Sequence, residues 1–231
     1  MKLVTINDRA LVRLIPATYH KPPVLRGLVD SDEEAAILAE LEGLTNQRLK
    51  VEREGSPALD RRELAFARRD GDLRLYGQTH INAAFTYTRT GGNRFNDESR
   101  GAWYCAYDLQ TSAAEVGYHR TRELSFIGVY DDEARYVELL ADFVGAFPSI
   151  TKNSHPEALQ DDPTAGYPAG QALARDLRAG GHRRLLYPSV RKPRGRCFVA
   201  FDPHIVQNVR PGASWTFTWS GTPDYSLKAF A

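Results

Sequence analysis

Two cysteines and a single methionine are all the sulfur this 231-residue chain carries. Cys105 and Cys197 each sit in a short apolar, strand-like run, so both read as buried free thiols in a reducing cytoplasm rather than as a disulfide framework. No Cys/His spacing resembles a zinc site. No apolar run approaches the ~20 residues that a bilayer-spanning helix needs. Residues 1–16 alternate charge with short apolar pairs and lack the apolar core of a signal peptide, so the expected location is the cytoplasm, with no membrane contact. An excess of either charge is also missing. With 30 basic and 29 acidic side chains the formal charge is +1, which argues against a nucleic-acid backbone or an anionic membrane as the main partner. Gly91-Gly92 belongs to no GxGxxG or phosphate-loop pattern, and there is no GxSxG elbow, so the common dinucleotide, kinase and hydrolase fingerprints are excluded. Internal repeats and low-complexity linkers are absent, which leaves one domain as the default.

What is present is an ordinary globular composition, 42% apolar and 26% charged. Residues 10–16 alternate like a strand. Asp30-Ser31 caps an expected helix through residue 44, with Asp32, Glu33 and Glu34 well placed in its first turn. Residues 49–69 suggest a second helix and a connecting loop. Strands are expected at 82–88, 102–107, 126–130, 136–140, 185–187, 196–201 and 215–219. Helices are expected at 111–124 and at 169–179, the latter ended by Gly180-Gly181. The strands are short and do not alternate regularly with helices, so the fold class is α+β rather than a doubly wound sheet. Arg191, Lys192, Arg194 and Arg196, broken by Pro193 and Gly195, read as a solvated basic loop. Trp215, Phe217 and Trp219 recur with period two, as on the buried face of a strand.

The stretch with chemical content is residues 92–119, GNRFNDESRGAWYCAYDLQTSAAEVGYH. Arg94 leaves a turn beside Phe95 and Asn96. Tyr104 lies in an apolar strand that should bury its ring while the hydroxyl seeks a partner. Glu115 sits in the first turns of a helix among Ala113, Ala114 and Val116, where a lone carboxylate is normally avoided or paired. On spacing alone, the plain reading is a structural Arg94–Glu115 salt bridge.

These residues also resemble the RES-domain family, toxins of bacterial toxin–antitoxin pairs that consume NAD. The family pattern runs Gly-Arg-aromatic-Asn, then apolar-Tyr-x-Ala, then a small-residue helix start with Glu-Val and a nearby His. Here it appears as Asn93-Arg94-Phe95-Asn96, Trp103-Tyr104-Cys105-Ala106, and Ala114-Glu115-Val116 with His119. Val12-Arg13-Leu14-Ile15-Pro16 is similar to the family's opening strand. Leu186-Tyr187-Pro188-Ser189-Val190-Arg191 is similar to its late serine segment, on order and context more than on a tight motif. Asn93 stands where many relatives carry glycine. The sequence before Arg94 resembles the longer, ParT-type branch, so the resemblance implies a single RES domain over residues 1–231 with a helical insertion at about 20–80. The implied fold is that of ADP-ribosyltransferases, with two small β-sheets meeting at an NAD cleft and flanked by helices.

The resemblance implies roles as well. Arg13 and Arg94 would bind the NAD pyrophosphate, for which the guanidinium fork is well shaped. Glu115 would stabilise the oxocarbenium-like ribose that forms when the nicotinamide bond breaks, as carboxylates do in glycoside hydrolysis. Tyr104 would stack beside the nicotinamide or hydrogen-bond near it, and Ser189 would bond its amide or a ribose hydroxyl. No metal is expected, because the leaving group is already a cationic pyridinium. The implied activity is transfer of ADP-ribose to a host protein. The alternatives are an NAD glycohydrolase or phosphorylase, or a non-catalytic partner of a DNA-binding protein. The implied partner is an antitoxin with a helix-turn-helix DNA-binding region.

Overall fold

The computed structural model describes residues 1–20, 31, 33, 46–65 and 77–230. The helix expected at 31–44 therefore lies outside the described residues, apart from two positions. Among the described residues there are seven strands and four α-helices. They follow in the order β1 (Lys2–Pro16), α1 (Gln47–Glu54), α2 (Gln78–Thr86), β2 (Trp103–Ala106), α3 (Leu109–Ile127), β3 (Asp131–Ser149), α4 (Pro163–Ala179), β4 (Arg184–Pro188), β5 (Arg196–Ala200), β6 (Gln207–Ser220) and β7 (Tyr225–Phe230). None of these helices is long and apolar enough to cross a membrane.

The α+β class holds. The strands hydrogen-bond in the order β1-β2-β5-β4-β3-β6-β7, and β1 also pairs with β3. The two expected sheets take the form of two limbs of this one network. β1 and β3 run antiparallel for nearly their whole length, from Lys2↔Ser149 to Pro16↔Tyr136, and β6 and β7 extend that limb. β2, β5 and β4 form the other. The limbs meet at single register pairs, Val12↔Ala106 and the parallel Ser149↔Leu186. Such narrow seams leave room for a pocket between well-paired strands.

The core follows this division. Trp103, Phe143, Phe147 and Phe198 are buried in one apolar cluster. α4 packs Ala174 and Leu177 against Leu185, Tyr187 and Val199 in a second. α3 packs Ala113 and Leu124 against Val12, Leu14, Phe217 and Trp219 in a third. The period-two aromatics of β6 are thus a buried face. Asp142 is buried and joins three segments by accepting from Ala10 N at 2.9 Å, Asn208 Nδ2 at 2.8 Å and Arg210 at 2.9 Å. Ala10 and Asn208 both have left-handed backbones, with φ of 65° and 52°.

Two expected strands are corrected. Residues 82–88 fall largely in helix α2. Its buried positions Ile81, Ala84 and Phe85 follow the i, i+3, i+4 spacing of a helix face, which outweighs the strand-like composition. Asn82 is drawn in by Glu52 Oε1 at 2.8 Å and Leu64 O at 3.2 Å. Residues 126–130 divide between the end of α3 and a turn. α3 continues to Ile127, because the left-handed Gly128 returns its N–H to Leu124 O and only there closes the helix. Phe126 and Ile127 remain exposed. α4 starts six residues before its expected first residue. Asp162 caps it through Thr164 N, Pro163 opens it, and the helix passes through Pro168.

Candidate active site

A pocket of about 270 Å³ opens at the seam between β1 and β2. Arg13 and Leu14 come from β1, Tyr104, Cys105 and Ala106 from β2, and Cys197 from β5. α3 contributes Ser112, Glu115, Val116 and His119. Arg89, Asn93 and Arg94 belong to the connection before β2, and Tyr167 to α4. Of the sequence-predicted residues, the structure brings Arg13, Arg94, Tyr104 and Glu115 to one wall-to-wall space. Ser189 stands directly behind Glu115.

The Arg94 turn is built to one conformation. Gly91 and Gly92 turn the chain as expected. A Cβ on Gly92 would lie 2.2 Å from Asn96 O, so only glycine fits. Asn93 N donates to Asn96 O at 2.8 Å. Gln171 of α4 reaches Gly91 O at 2.9 Å and Asn93 O at 3.0 Å. Tyr104 fastens the other side: its hydroxyl donates to Asn96 Oδ1 at 2.8 Å and accepts from Phe95 N at 3.0 Å. Burial pushes the Tyr104 phenol well above its ordinary range, so it is a neutral donor. This is the partner that the apolar strand led us to expect.

Arg94 is buried. Its guanidinium donates to Ala158 O and Gln160 O, both at 2.8 Å, and lies 5.4 Å from the centre of the Tyr167 ring. The structural salt bridge to Glu115 suggested by spacing is not formed. Glu115 instead accepts from Ser189 Oγ at 2.6 Å, and Cys197 Sγ is 3.8 Å from the same oxygen. Ser189 is buried, and its hydroxyl also accepts from Arg191 N at 3.1 Å and Lys192 N at 3.0 Å. One hydroxyl thus fixes both a carboxylate and a backbone turn. Asp108 caps α3 through Thr111 N at 2.7 Å, which sets the rotation of the helix that carries Glu115.

The electrostatics are one-sided. Arg13, Arg89, Arg94 and Arg191 line the pocket, and Glu115 is the only acid among its described lining residues. Arg13 donates to Tyr104 O at 3.1 Å and lies 4.9 Å from the Trp103 ring centre. Burial lowers its pKa to about 10, so it stays charged at neutral pH. Burial, reinforced by Arg89, Arg191, Arg122 and Arg94, holds His119 down at about 4, so it is neutral. Burial pushes the Cys197 thiol up, which leaves it an S–H donor rather than a nucleophile. Both cysteines are free and buried. Among the described residues no cluster of three or more His, Cys, Asp or Glu side chains is placed to hold a metal ion.

Sequence reasoning missed Arg89, Tyr167 and Arg191. Arg191 belongs to the basic run expected to be solvated. Lys192, Arg194 and Arg196 are indeed exposed, but Arg191 lines the pocket, lies 3.3 Å from the Tyr118 ring centre and donates to Asp161 O.

A buried arginine and a serine-held carboxylate share one slot lined by further arginines, an arrangement whose charge suits an anionic ligand. Residues 73–220 match the RES domain family. That span is more than half of the chain, and the protein belongs to the RES domain family. RES domains are associated with NAD-using toxins of toxin–antitoxin pairs, and such toxins generally have an antitoxin partner. The match takes in Arg94, Tyr104, Glu115 and Ser189. Arg13 lies before it and reaches the same pocket through the β1–β2 seam. No curated protein matches the chain.

Proposed function

We propose that this protein cleaves the nicotinamide–ribose bond of NAD and transfers ADP-ribose to a side chain of a host protein. The observation that carries this reading is the lone carboxylate of Glu115, held by Ser189, in a pocket otherwise lined by arginines. The arginines suit the pyrophosphate. When the C1′–N1 bond breaks, its electron pair passes to the pyridinium nitrogen, nicotinamide leaves neutral, and the ribose carries the positive charge. Glu115 faces that charge. The acceptor then bonds to C1′ and releases its proton. Tyr104 holds the Arg94 turn and offers its ring to the pocket. Ser189 aims Glu115, a role that its hydrogen bonds support better than direct contact with the nicotinamide. The protein-acceptor reading also accords with the longer, ParT-like branch that the N-terminal sequence suggests. The toxin would act in the cytoplasm and be held inactive by an antitoxin with a helix-turn-helix DNA-binding region.

Incubation with NAD labelled in its adenylate phosphate, together with cell lysate, tests the reading. Free nicotinamide with labelled protein bands is the expected result. Nicotinamide without labelled protein would show glycohydrolase or phosphorylase chemistry instead. No nicotinamide from well-folded protein would end the enzymatic reading.

A further inference from the structure

The turn between β4 and β5 carries Arg191, Lys192 and Arg194, and Arg196 opens β5 directly after it. Arg191 points to the pocket. Lys192, Arg194 and Arg196 are exposed, and none forms an ion pair with an acid among the described residues. Arg196 lies over Tyr107, 3.8 Å from the ring centre. Of the acids around the turn, Asp162 caps α4 through Thr164 N and Oγ1 and lies within electrostatic reach of Arg191, Asp108 caps α3 through Thr111, and Asp8 lies by Tyr107. In a chain whose formal charge is only +1, the exposed side chains of Lys192, Arg194 and Arg196 form a local cluster of cations next to the pocket-lining Arg191.

The turn is also rigid, and it is tied to Glu115. Ser189 N donates to Gly195 O at 2.9 Å, and Gly195 N to Lys192 O at 3.0 Å. Arg194 takes a left-handed φ of 64° to close it. A Cβ on Gly195 would lie 2.8 Å from the Thr111 side chain, so the turn abuts the first turn of α3, four residues before Glu115. The Ser189 hydroxyl that accepts the turn's Arg191 and Lys192 N–H groups is the one that donates to Glu115. The backbone of this turn is therefore held at a fixed distance from the Glu115 carboxylate.

We infer that the 191–196 turn is the docking surface for the protein acceptor, and that it selects an acidic segment, rich in Asp and Glu, next to the modified side chain. This rests on the transferase reading above. Complementary charge steers such encounters and discriminates against other partners. A nucleic-acid acceptor fits less well. The cations occupy one short turn, and the aromatic ring beside them, Tyr107, is covered by Arg196 rather than free to stack with bases.

The test uses full-length toxin, adenylate-labelled NAD and lysate, with the double variant Lys192→Glu/Arg194→Glu. Nicotinamide release without lysate reports on the pocket and should stay within about twofold of wild type. Protein labelling should fall at least about tenfold. Wild-type labelling should weaken between about 50 and 300 mM salt, as screened attraction does, while labelling by the variant should hardly respond. Lys192→Gln/Arg194→Gln should fall between the two. Equal protein labelling by wild type and the charge-reversed variant would overturn the docking inference while leaving the transferase reading intact. Label carried on protease-resistant nucleic acid would also overturn it. Nicotinamide release by wild type with no labelled protein would remove the transferase reading, and the inference with it. Loss of nicotinamide release in the charge-reversed pair, with the glutamine pair labelling protein at the wild-type level, would show a turn that supports the pocket and would likewise overturn it.

Discussion

Ser189→Ala separates two roles for the serine, and their magnitudes can be worked from its hydrogen bonds. The side chain is buried. It donates to Glu115 at 2.6 Å and accepts from two backbone N–H groups at 3.1 and 3.0 Å. A hydrogen bond to a charged group contributes about 1.5–3 kcal/mol, and an N–H left without an acceptor costs about 1 kcal/mol or more where water is excluded. Lys192 is exposed, so water can replace the lost acceptor there, and we expect a destabilisation of about 2–4 kcal/mol. In a chain of this size each kcal/mol shifts Tm by ~2–4 °C, so the melting point should drop by roughly 5–15 °C. An unanchored Glu115 should lose most of the 1.5–3 kcal/mol in the transition state, lowering kcat by about 10- to 100-fold. Because the serine acts through Glu115, KM for NAD should change little. If Ser189 instead bonded the nicotinamide in the ground state, KM would rise and kcat would suffer less. Steady-state nicotinamide release with differential scanning fluorimetry reads all three quantities. A raised KM with wild-type kcat, or no change in any quantity, would refute the positioning argument.

Glu115→Gln is nearly isosteric and should keep the fold while cutting NAD turnover by at least ~100-fold, the usual scale for one lost transition-state charge contact; a well-expressed variant with full turnover would remove Glu115 from the mechanism. Arg94→Ala should weaken NAD binding in calorimetry and also lower Tm, because Ala158 O and Gln160 O lose their donor. Arg94→Lys should restore only part of each, since the fork is lost, and normal NAD affinity in Arg94→Ala would make Arg94 purely structural. His119 titrates at about 4, below its ordinary 6.5, because burial and the surrounding arginines disfavour its charge. Between these values the unfolded chain binds more protons than the folded one, so this group makes stability rise with pH from about 4 to 6.5. His119→Gln should flatten that part of a Tm–pH profile relative to wild type, and an unchanged slope would show that His119 is not held neutral. Gly170→Ala places a Cβ 2.2 Å from Arg94 O. This backbone clash should cost about 1–3 kcal/mol and reduce NAD binding along with Tm, so unchanged calorimetric affinity would mean that α4 does not set the Arg94 turn.

The parts of the fold that were legible in the sequence are those whose signals are local. The body of α3 at 111–124 shows in its own residues, whereas its end at Gly128 does not, and β2, β4 and β5 are short apolar runs. β3 was read only at residues 136–140. Its first residues place charged side chains toward solvent at alternate positions, and its far end contains Gly145 and Pro148, so 19 residues of strand look like five. β7 is a short, largely exposed edge strand, only six residues long. Residues 82–88 misled because Ile81 and Phe85 suit either period, and the deciding partners, Glu52 and Leu64, are remote in sequence. The site divides in the same way. Arg94, Tyr104 and Glu115 fall within 22 residues, so their pattern could be read. The Ser189–Glu115 bond spans 74 positions and exists only after β4 and β5 pair. Arg191 looked like a solvated charge because nothing in its neighbours records that Tyr118 lies beneath it.

The distribution of Arg94's hydrogen bonds changes how the pocket's arginines share their work. One guanidinium nitrogen, Nη1, is committed to Ala158 O and Gln160 O, which ties the segment before α4 to the turn before β2. α4 answers with glycine at the two contact positions. A Cβ on Gly166 would lie 2.8 Å from Nη1, and one on Gly170 would lie 2.2 Å from Arg94 O. These residues are one helical turn apart, on the same face. The turn, the segment and the helix are therefore one rigid piece, carrying Tyr167 and Arg94 on one side of the pocket. Glu115 belongs to a second rigid piece, made of α3 and the β4–β5 turn and pinned by Ser189. Tyr104, rising from β2 between them, grips the first piece through Asn96 and Phe95. Under the proposed function, phosphate charge would meet Arg94 on the first piece and Arg13 at the β1 seam, while Arg191, whose N–H is held by Ser189 and whose guanidinium donates to Asp161 O, spans the two. On that reading a dinucleotide would engage all of them only while the two pieces hold their present spacing. The polar contacts between protein groups fix the distance between the arginine-bearing wall and the carboxylate, the spacing that the proposed reaction would need set before substrate binds.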